Sequence, residues 1–335
     1  MAHNITKTDG LVLAGQSAWH GLGIVLPEAP TVDQALDLAG LRWRIEQKPL
    51  YIDSPIGPIE VPTHVANVRS DTRDILGVVT KGYTPVDNEV TGGLLLAAAK
   101  DGAMPKIETA GSLSGGRDVF FTSNLREFGL GVGRADVSRI YAVFSNNHAG
   151  QRAFRVYTTS VRVVCANTHV ASGVDDLSKG LALRHSSGIV GRVDEIRKSL
   201  ERSNKIADEM VRQAEALSNR PMTSADVQAF FMDVYQSLYG TLTVSDAELA
   251  RERRRKAVKV VSAWVEAMDS PKQEVGGLQG TAWAAVNSVT DWLQHERPVR
   301  KLKGETLAQA RVRSSMFGST AAQTRTVHDL ALALV

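Results

Sequence analysis

The side chains best suited to bond chemistry in this chain are its histidines and its single cysteine, Cys165. No histidine belongs to an H-x-x-x-H pattern or pairs with a second cysteine, so zinc-ligand spacing is absent. Cys165 precedes His169 by four residues, as a thiolate nucleophile would, but a small buried residue ending a strand is the better interpretation. Ser160 and Asp175 complete no triad signature. We therefore predict no catalytic residue, no metal site, no cofactor and no enzymatic activity.

Glycines at 129–133 superficially resemble a phosphate-binding loop. The dinucleotide fingerprint needs the spacing G-x-G-x-x-G between a strand and a helix. Here the spacing differs, and the following segment from Arg139 has the alternation of a strand. The sequence predicts a flexible hairpin at this point.

Basic side chains give the clearest local pattern, in the run 251–256 of a predicted helix. Arg251, Arg255 and Lys259 stand four residues apart, so they form one helical stripe, and Arg253, Arg254 and Lys256 widen the basic side. The residues predicted to hold a phosphate backbone are Arg251, Arg254, Arg255 and Lys259. Such a stripe can neutralise several phosphates, each of which adds salt dependence. The alternative is a solvated helix face with Glu248 and Glu252 as its ion-pair partners. An apolar stripe on the same helix should face the core or a partner: Ala257, Val261, Trp264 and Met268.

A second basic cluster lies on predicted strands around the turn at 146–150. Two arginines share strand faces with two aromatic residues: Arg152 with Phe154, and Arg155 with Tyr157. A sheet face that mixes arginine with aromatic rings can hold phosphates and stack bases of any sequence. Three further cations on the same or neighbouring strands complete the predicted DNA-binding set: Lys81, Arg117 and Arg162. The alternative is a row of ordinary exposed positions beside buried aromatic rings.

The composition is that of a folded protein, with 335 residues, 43% of them hydrophobic and 22% charged. The net charge of +3 and the pI of about 8.9 are only mildly basic, so local clustering matters more than the total. A single cysteine excludes an intramolecular disulfide and fits a reducing compartment. The N-terminus lacks an apolar signal core, and no run reaches the ~18 apolar residues of a membrane span. We therefore expect a soluble protein of the cytoplasm, without membrane contact.

The predicted secondary structure changes along the chain from mostly strands to helices. Residues 1–185 alternate as strands with short helices, and Ser114 to Gly116 form a hairpin turn. The capping residue Thr31 begins one helix, and another runs from Asn88. A capping-box pattern from Ser245 to Glu248 predicts Ser245 as the cap of the helix that carries the basic run. From 186 to 335 the pattern is helical, beginning with an amphipathic helix over 193–217 that would supply contacts between protomers. The predicted fold class is α+β, an antiparallel β-sheet with packed helices followed by a helical C-terminal domain.

Several motifs together resemble a known family. They are WHGLG at 19–23, YTPVDN at 83–88, RVVCANT at 162–168, GTAWAAVNSVTD at 280–291 with His295, and SMFG at 315–318. The chain resembles the phage/plasmid-like proteins of a domain-of-unknown-function family, and the likeness spans nearly its whole length. The resemblance implies a mobile-element protein that acts on phage or plasmid DNA. A more distant likeness is to RecT/Redβ-type single-strand annealing recombinases, which assemble into rings or filaments.

These observations lead to one hypothesis and two alternatives. The hypothesis is a non-enzymatic, sequence-independent protein that binds and anneals single-stranded DNA in recombination or replication, as a homo-oligomeric ring or filament. The first alternative is a phage accessory protein that binds a host protein through its helical half. The second is an enzyme that uses His148, Cys165 and His169, which would require a metal, a cofactor or an activated thiol.

Overall fold

The computed structural model describes residues 5–17, 21–98, 106–134, 136–159, 180–243, 245–269, 277–301, 307, 310, 311, 314 and 319–335. The chain divides into two compact units, the first formed by Met1–Arg126 with Arg139–Ala207 and the second by Glu127–Ser138 with Asp208–Val335. We predicted a domain boundary after residue 185, where helices replace strands. The two compact units instead separate after Ala207, further along the chain. Among the described helices, none combines the length and the apolar character needed to cross a membrane.

The described elements begin and end as follows. The strands are β1 (Leu11–Ala14), β2 (Ile24–Leu26), β3 (Ile45–Ile52), β4 (Ile59–Arg69), β5 (Ile75–Thr80), β6 (Ile107–Leu113), β7 (Asp118–Leu130), β8 (Asp136–Asn147), β9 (Phe154–Thr159) and β10 (Leu181–Leu183). The helices are α1 (Val32–Leu38), α2 (Asn88–Ala98), α3 (Val193–Ser218), α4 (Ser224–Tyr239), α5 (Ala247–Met268), α6 (Ala282–Asp291) and α7 (Ser319–Leu332). Short 3-10 turns lie at Val132–Arg134 and Ile189–Gly191, and a π turn at Trp292–Glu296 follows α6. The predicted α+β fold class is confirmed.

The described strands form two sheets. The larger has the order β10-β9-β8-β7-β6-β1-β2, and the smaller has the order β3-β4-β5. β1 and β2 run parallel, whereas β3, β4 and β5 pair in antiparallel fashion. Val119 and Phe121 of β7 face the cluster that includes α1 and α2, and Phe120 faces a cluster on the opposite side of the sheet. Both faces of the larger sheet are therefore buried, and its central strands are apolar at consecutive positions.

Local sequence signals account for many of the element boundaries. Thr31 caps α1 in a capping box with Gln34, and Thr223 caps α4 with Asp226. The predicted cap of α5 at Ser245 is wrong by one residue, because the carboxylate of Asp246 accepts a hydrogen bond from the Leu249 amide at 2.8 Å. A negative charge at that position also favours the helix dipole.

Trp264 of α5 is the centre of the helical core in the second unit. Its side chain is fully buried, and its ring contacts those of Phe231, Tyr235 and Trp292. Ala257 and Met268 are buried in the same cluster, with Val261 partly buried against it. The apolar stripe predicted for this helix is therefore confirmed as its core-facing side.

Candidate nucleic-acid interface

The N-terminal half of α5 projects from the core of its unit. No described side chain from Ala247 to Lys256 is buried, and Ala257 is the first that is. A helix turns by about 100° per residue. This rotation groups Arg251, Arg255 and Lys259 on the side away from Ala257 and Trp264, and Arg254 lies on the flank between that side and the core-facing side. We call these four exposed cations the basic stripe.

Within the part of the chain that the structure describes, none of the four side chains of the basic stripe makes a hydrogen bond or an ion pair. Glu252 pairs with Lys256 outside the stripe at 2.6 Å, and this hydrogen bond lowers the pKa of Glu252, with a smaller contribution from the charge of Arg255. Arg253 donates to the Thr241 carbonyl at 2.8 Å. Glu252 is thus the ion-pair partner of one cation of the run 251–256, as the alternative expects, whereas the four cations of the stripe have no such partner among the described residues.

The cations predicted on the strands do not share one open surface. The Lys81 ammonium lies 3.2 Å from the Glu60 carboxylate, and Arg152 lies 2.9 Å from Asp118. Arg117 is exposed between β6 and β7, and Arg155 is half-buried on β9. Arg162 lies outside the described residues, as do Cys165 and His169 of the enzymatic alternative.

The aromatic rings expected to stack bases are buried. Phe154 is 0% exposed and Tyr157 is 8% exposed. They lie in two different core clusters, because the larger sheet is covered on both faces. The prediction of a base-stacking face on this strand is therefore wrong, since a ring in the core cannot reach a nucleic-acid base.

A cleft in the first unit gathers a different set of residues, and only Arg152 among them was predicted. Its volume is about 580 Å³. It is lined by Thr80, Gly82, Tyr83, Gly150, Gln151, Arg152, Ala153, Arg184, His185 and Ser186. Three separate segments meet there: the end of β5, the loop between β8 and β9, and the residues after β10. Arg184 and His185 could not be predicted from residue spacing, because they share the cleft with Arg152 only through contacts between segments that are distant in the chain.

Asn147, at the end of β8, holds the loop that forms one wall of this cleft. It is 2% exposed, and its amide oxygen accepts from the backbone amides of Gln151 at 2.9 Å and Arg152 at 3.3 Å. Its amide nitrogen donates to Asp118 at 2.7 Å, and Asp118 in turn accepts from the Arg152 guanidinium at 2.9 Å. The side chain of Arg152 is thus oriented from behind by a buried hydrogen-bond chain.

Tyr83 forms an aromatic wall of the cleft that is fixed in place. Its hydroxyl donates to the Asn147 carbonyl at 2.9 Å, and its ring stacks on His185 with centroids 4.5 Å apart. Burial raises the pKa of Tyr83, so the phenol stays neutral. Gly77 on β5 allows the adjoining loop to approach, because an added Cβ would lie only 2.6 Å from the Ala149 carbonyl oxygen.

His148 is buried directly beneath this loop and is placed for structural support. It is 0% exposed, and its Nε2 lies 2.9 Å from Asn88 Oδ1. The Asn88 amide nitrogen already donates to the Leu41 carbonyl at 3.1 Å, so its oxygen faces the imidazole and Nε2 is the protonated nitrogen. The Asn67 amide donates to the His148 carbonyl at 2.8 Å. An imidazole sealed from solvent in this way cannot exchange protons with a substrate.

These histidines predict a loss of stability in mild acid. Burial lowers the pKa of His148 to about 3, helped by the charges of His185 and Arg69, and burial lowers the pKa of His185 to about 4. The unfolded chain binds these protons below about pH 6.5. The free energy of unfolding should therefore be highest above that pH and fall by roughly 1 kcal/mol per pH unit per histidine down to about pH 4.

Urea unfolding at neutral pH and at several acidic values measures this effect. The matched variant is His148→Gln, whose amide can still donate to Asn88 but cannot titrate. Its stability should depend less steeply on pH than that of the wild type. Equal pH dependence in the two proteins would contradict the assignment of His148.

Among the residues that the structure describes, no three His, Cys, Asp or Glu side chains come together as a group that could hold a metal ion.

A comparison of the chain with models of known protein families gives one match. The model described as Domain of unknown function (DUF932) matches residues 75–316. The chain belongs to this family. The DUF932 match includes the residues that line the cleft and the basic stripe, so both candidate surfaces lie in the family's own domain. No curated protein and no solved structure matches the chain.

Proposed function

We propose that this DUF932 protein binds single-stranded DNA without sequence preference and anneals complementary strands. The observation that carries the proposal is the basic stripe of α5, four exposed cations without an ion-pair partner among the described residues. Like charges this close repel one another, so a polyanion that neutralises them gains favourable free energy. A phosphate backbone supplies such a row of negative charges.

The local charge balance separates α5 from the other long helix. Residues 247–259 contain six cations and only two acids, Glu248 and Glu252. By contrast, α3 alternates acids with bases and forms its own pairs, such as Arg197 with Asp194 at 2.7 Å. The cation excess is therefore specific to α5, and it is a stronger argument for a polyanion than the net charge of +3.

Preference for single strands is supported by the cleft of the first unit. Tyr83 lines this cleft together with Arg152 and Arg184, and one face of its ring is stacked on His185. Aromatic stacking is available to a base in an unpaired strand and is tolerant of sequence. In a duplex the base faces are already stacked on their neighbours.

A strand-pairing assay tests whether the protein anneals complementary strands as well as binding them. Two complementary strands, one with a donor dye and one with an acceptor dye, should pair faster in the presence of the protein than alone. A protein that held unpaired strands in an oligomer would raise their local concentration and accelerate pairing. Failure to accelerate pairing, under conditions in which the strands are bound, would restrict the function to strand protection.

The proposed self-association needs a surface other than the apolar side of α3. Its residues Ile196, Ala207 and Leu217 are buried within the chain itself. The exposed alternative is the hairpin arm, residues 50–62, where β3 and β4 extend past the pairing of β4 with β5. It carries large apolar side chains in the open: Tyr51 at 58%, Ile52 at 56%, Ile56 at 90% and Ile59 at 45% exposed. An apolar group of this kind is typical of a protein contact.

The double substitution Ile52→Ser and Ile56→Ser tests this surface. We expect it to lower the oligomer mass measured by light scattering, with little loss of fold stability because both side chains are exposed. The matched control is Val137→Ser, which replaces another exposed apolar residue, 53% exposed, on a different hairpin. A wild-type monomer would remove self-association from the account. It would favour the second candidate function, in which the hairpin arm binds a different protein and the chain acts as a phage accessory factor.

A further inference from the structure

The cleft of the first unit has the charge of an anion site. Arg184 is exposed and makes no hydrogen bond or ion pair with a described residue. Arg152 uses a guanidinium nitrogen to contact Asp118, and its side chain remains 34% exposed. Of the described residues that line the cleft, none is acidic. The lining therefore holds two guanidinium groups and no carboxylate, with Asp118 behind Arg152, an arrangement suited to phosphate oxygens.

The cleft is also built in advance of any ligand. The carboxylate of Asp118 is 10% exposed and fixes Arg152 from behind, while Asn147 fixes Asp118. The ring of Tyr83 is held by its hydroxyl and by the stacked imidazole of His185. A ligand that binds there need not order these groups, which lowers the entropic cost of binding.

The volume and the lining together define the class of ligand. A cleft of about 580 Å³ lies in the range that holds organic ligands and is much larger than a phosphate ion requires. The aromatic wall at Tyr83 and the side-chain amide of Gln151 suit a planar ring with polar edges. A nucleotide combines such a ring with a phosphate.

We propose that this cleft binds one nucleotide unit, with its phosphate at Arg152 and Arg184 and its base against Tyr83. The inference deepens the proposed function, because in a bound strand this nucleotide would be one of many. It can be tested apart from strand binding, since a free nucleoside monophosphate carries the same two chemical groups.

Calorimetry at low salt provides the test, with dTMP, thymidine and inorganic phosphate as separate ligands. We expect dTMP to bind, thymidine to bind at least about tenfold more weakly because it lacks the phosphate, and inorganic phosphate to bind more weakly because it lacks the base. Thymidine binding equal to that of dTMP would overturn the phosphate assignment. Phosphate binding equal to that of dTMP would overturn the base contact.

Two variants test whether dTMP binds in the cleft. Arg184→Gln removes an exposed cation from the lining and should weaken dTMP about tenfold or more. Arg44→Gln removes a cation from the same unit whose side chain is 72% exposed outside the cleft, and it should bind dTMP like the wild type. Equal weakening by both variants, or no dTMP binding by the wild type, would overturn the inference.

The two proposals fail in distinguishable ways. If dTMP binds through Arg184 but no labelled strand binds, the cleft remains a nucleotide site and strand binding is refuted. If a strand binds through the basic stripe but dTMP does not bind, the cleft inference alone is refuted.

Discussion

Replacing Arg251, Arg255 and Lys259 together with alanine should weaken binding of a single strand by about tenfold or more at low salt. Each phosphate neutralised on a single strand contributes about −0.7 to the slope of log affinity against log salt. Loss of three contacts should therefore flatten that slope by about 2. The fold should persist, because all three side chains are exposed.

The matched control removes the same number of charges from a different helix. Lys198, Arg202 and Lys205 are exposed cations on α3, three or four residues apart, and they lie among acidic neighbours. Their replacement by alanine should change the salt slope much less than the α5 triple variant does. Equal changes in both variants would mean that net charge, and not the basic stripe, governs binding. An unchanged slope in the α5 variant would remove this helix from the interface.

Asn147→Ala should lower the free energy of unfolding by about 2–4 kcal/mol. The substitution deletes a buried amide that accepts from the backbone at Gln151 and Arg152 and donates to Asp118. The groups left behind are shielded from water, and each buried polar group without a partner costs about 1–3 kcal/mol. Because the same amide holds Asp118 behind Arg152, the variant should also weaken dTMP binding in the cleft.

Urea unfolding measures the loss of stability, and Asn219→Ala is the matched control. Asn219 is exposed after the end of α3, so its replacement should change the free energy of unfolding by no more than about 0.5 kcal/mol. If Asn147→Ala were as stable as Asn219→Ala, the hydrogen-bond chain behind Arg152 would have no energetic role. If Asn147→Ala were destabilised but bound dTMP with full affinity, the hydrogen bonds of Asn147 would stabilise the loop without being needed for dTMP binding.

The local elements were predictable because their signals are local. The Thr31 cap, the turn at 114–116 and the apolar stripe on α5 each depend on residues within a few positions of one another. The basic stripe was found for the same reason, since a helix converts a spacing of three or four residues into one face. The cap of α5 was misplaced because Ser245 and Asp246 are both good capping residues, and sequence does not decide between neighbours.

The cleft was not predictable, because it depends on contacts between distant segments. Arg184 follows β10, which pairs with β9, and only that pairing brings it to Arg152. The error on Phe154 and Tyr157 has a related cause. Alternation along β9 indicated an open face and a buried face, but the larger sheet has a core cluster on each side, so both rings are buried.

Fluorescence anisotropy of a labelled, mixed-sequence single strand decides whether this protein binds single-stranded DNA through phosphate contacts. The titration is made at low and at moderate salt, between about 50 and 200 mM, with an unlabelled duplex of the same sequence as competitor. We expect binding that weakens steeply as salt rises and that the duplex displaces poorly. Absence of binding at low salt would contradict the proposed function. Binding that does not respond to salt would equally contradict it, since phosphate contacts at the basic stripe cannot be independent of salt.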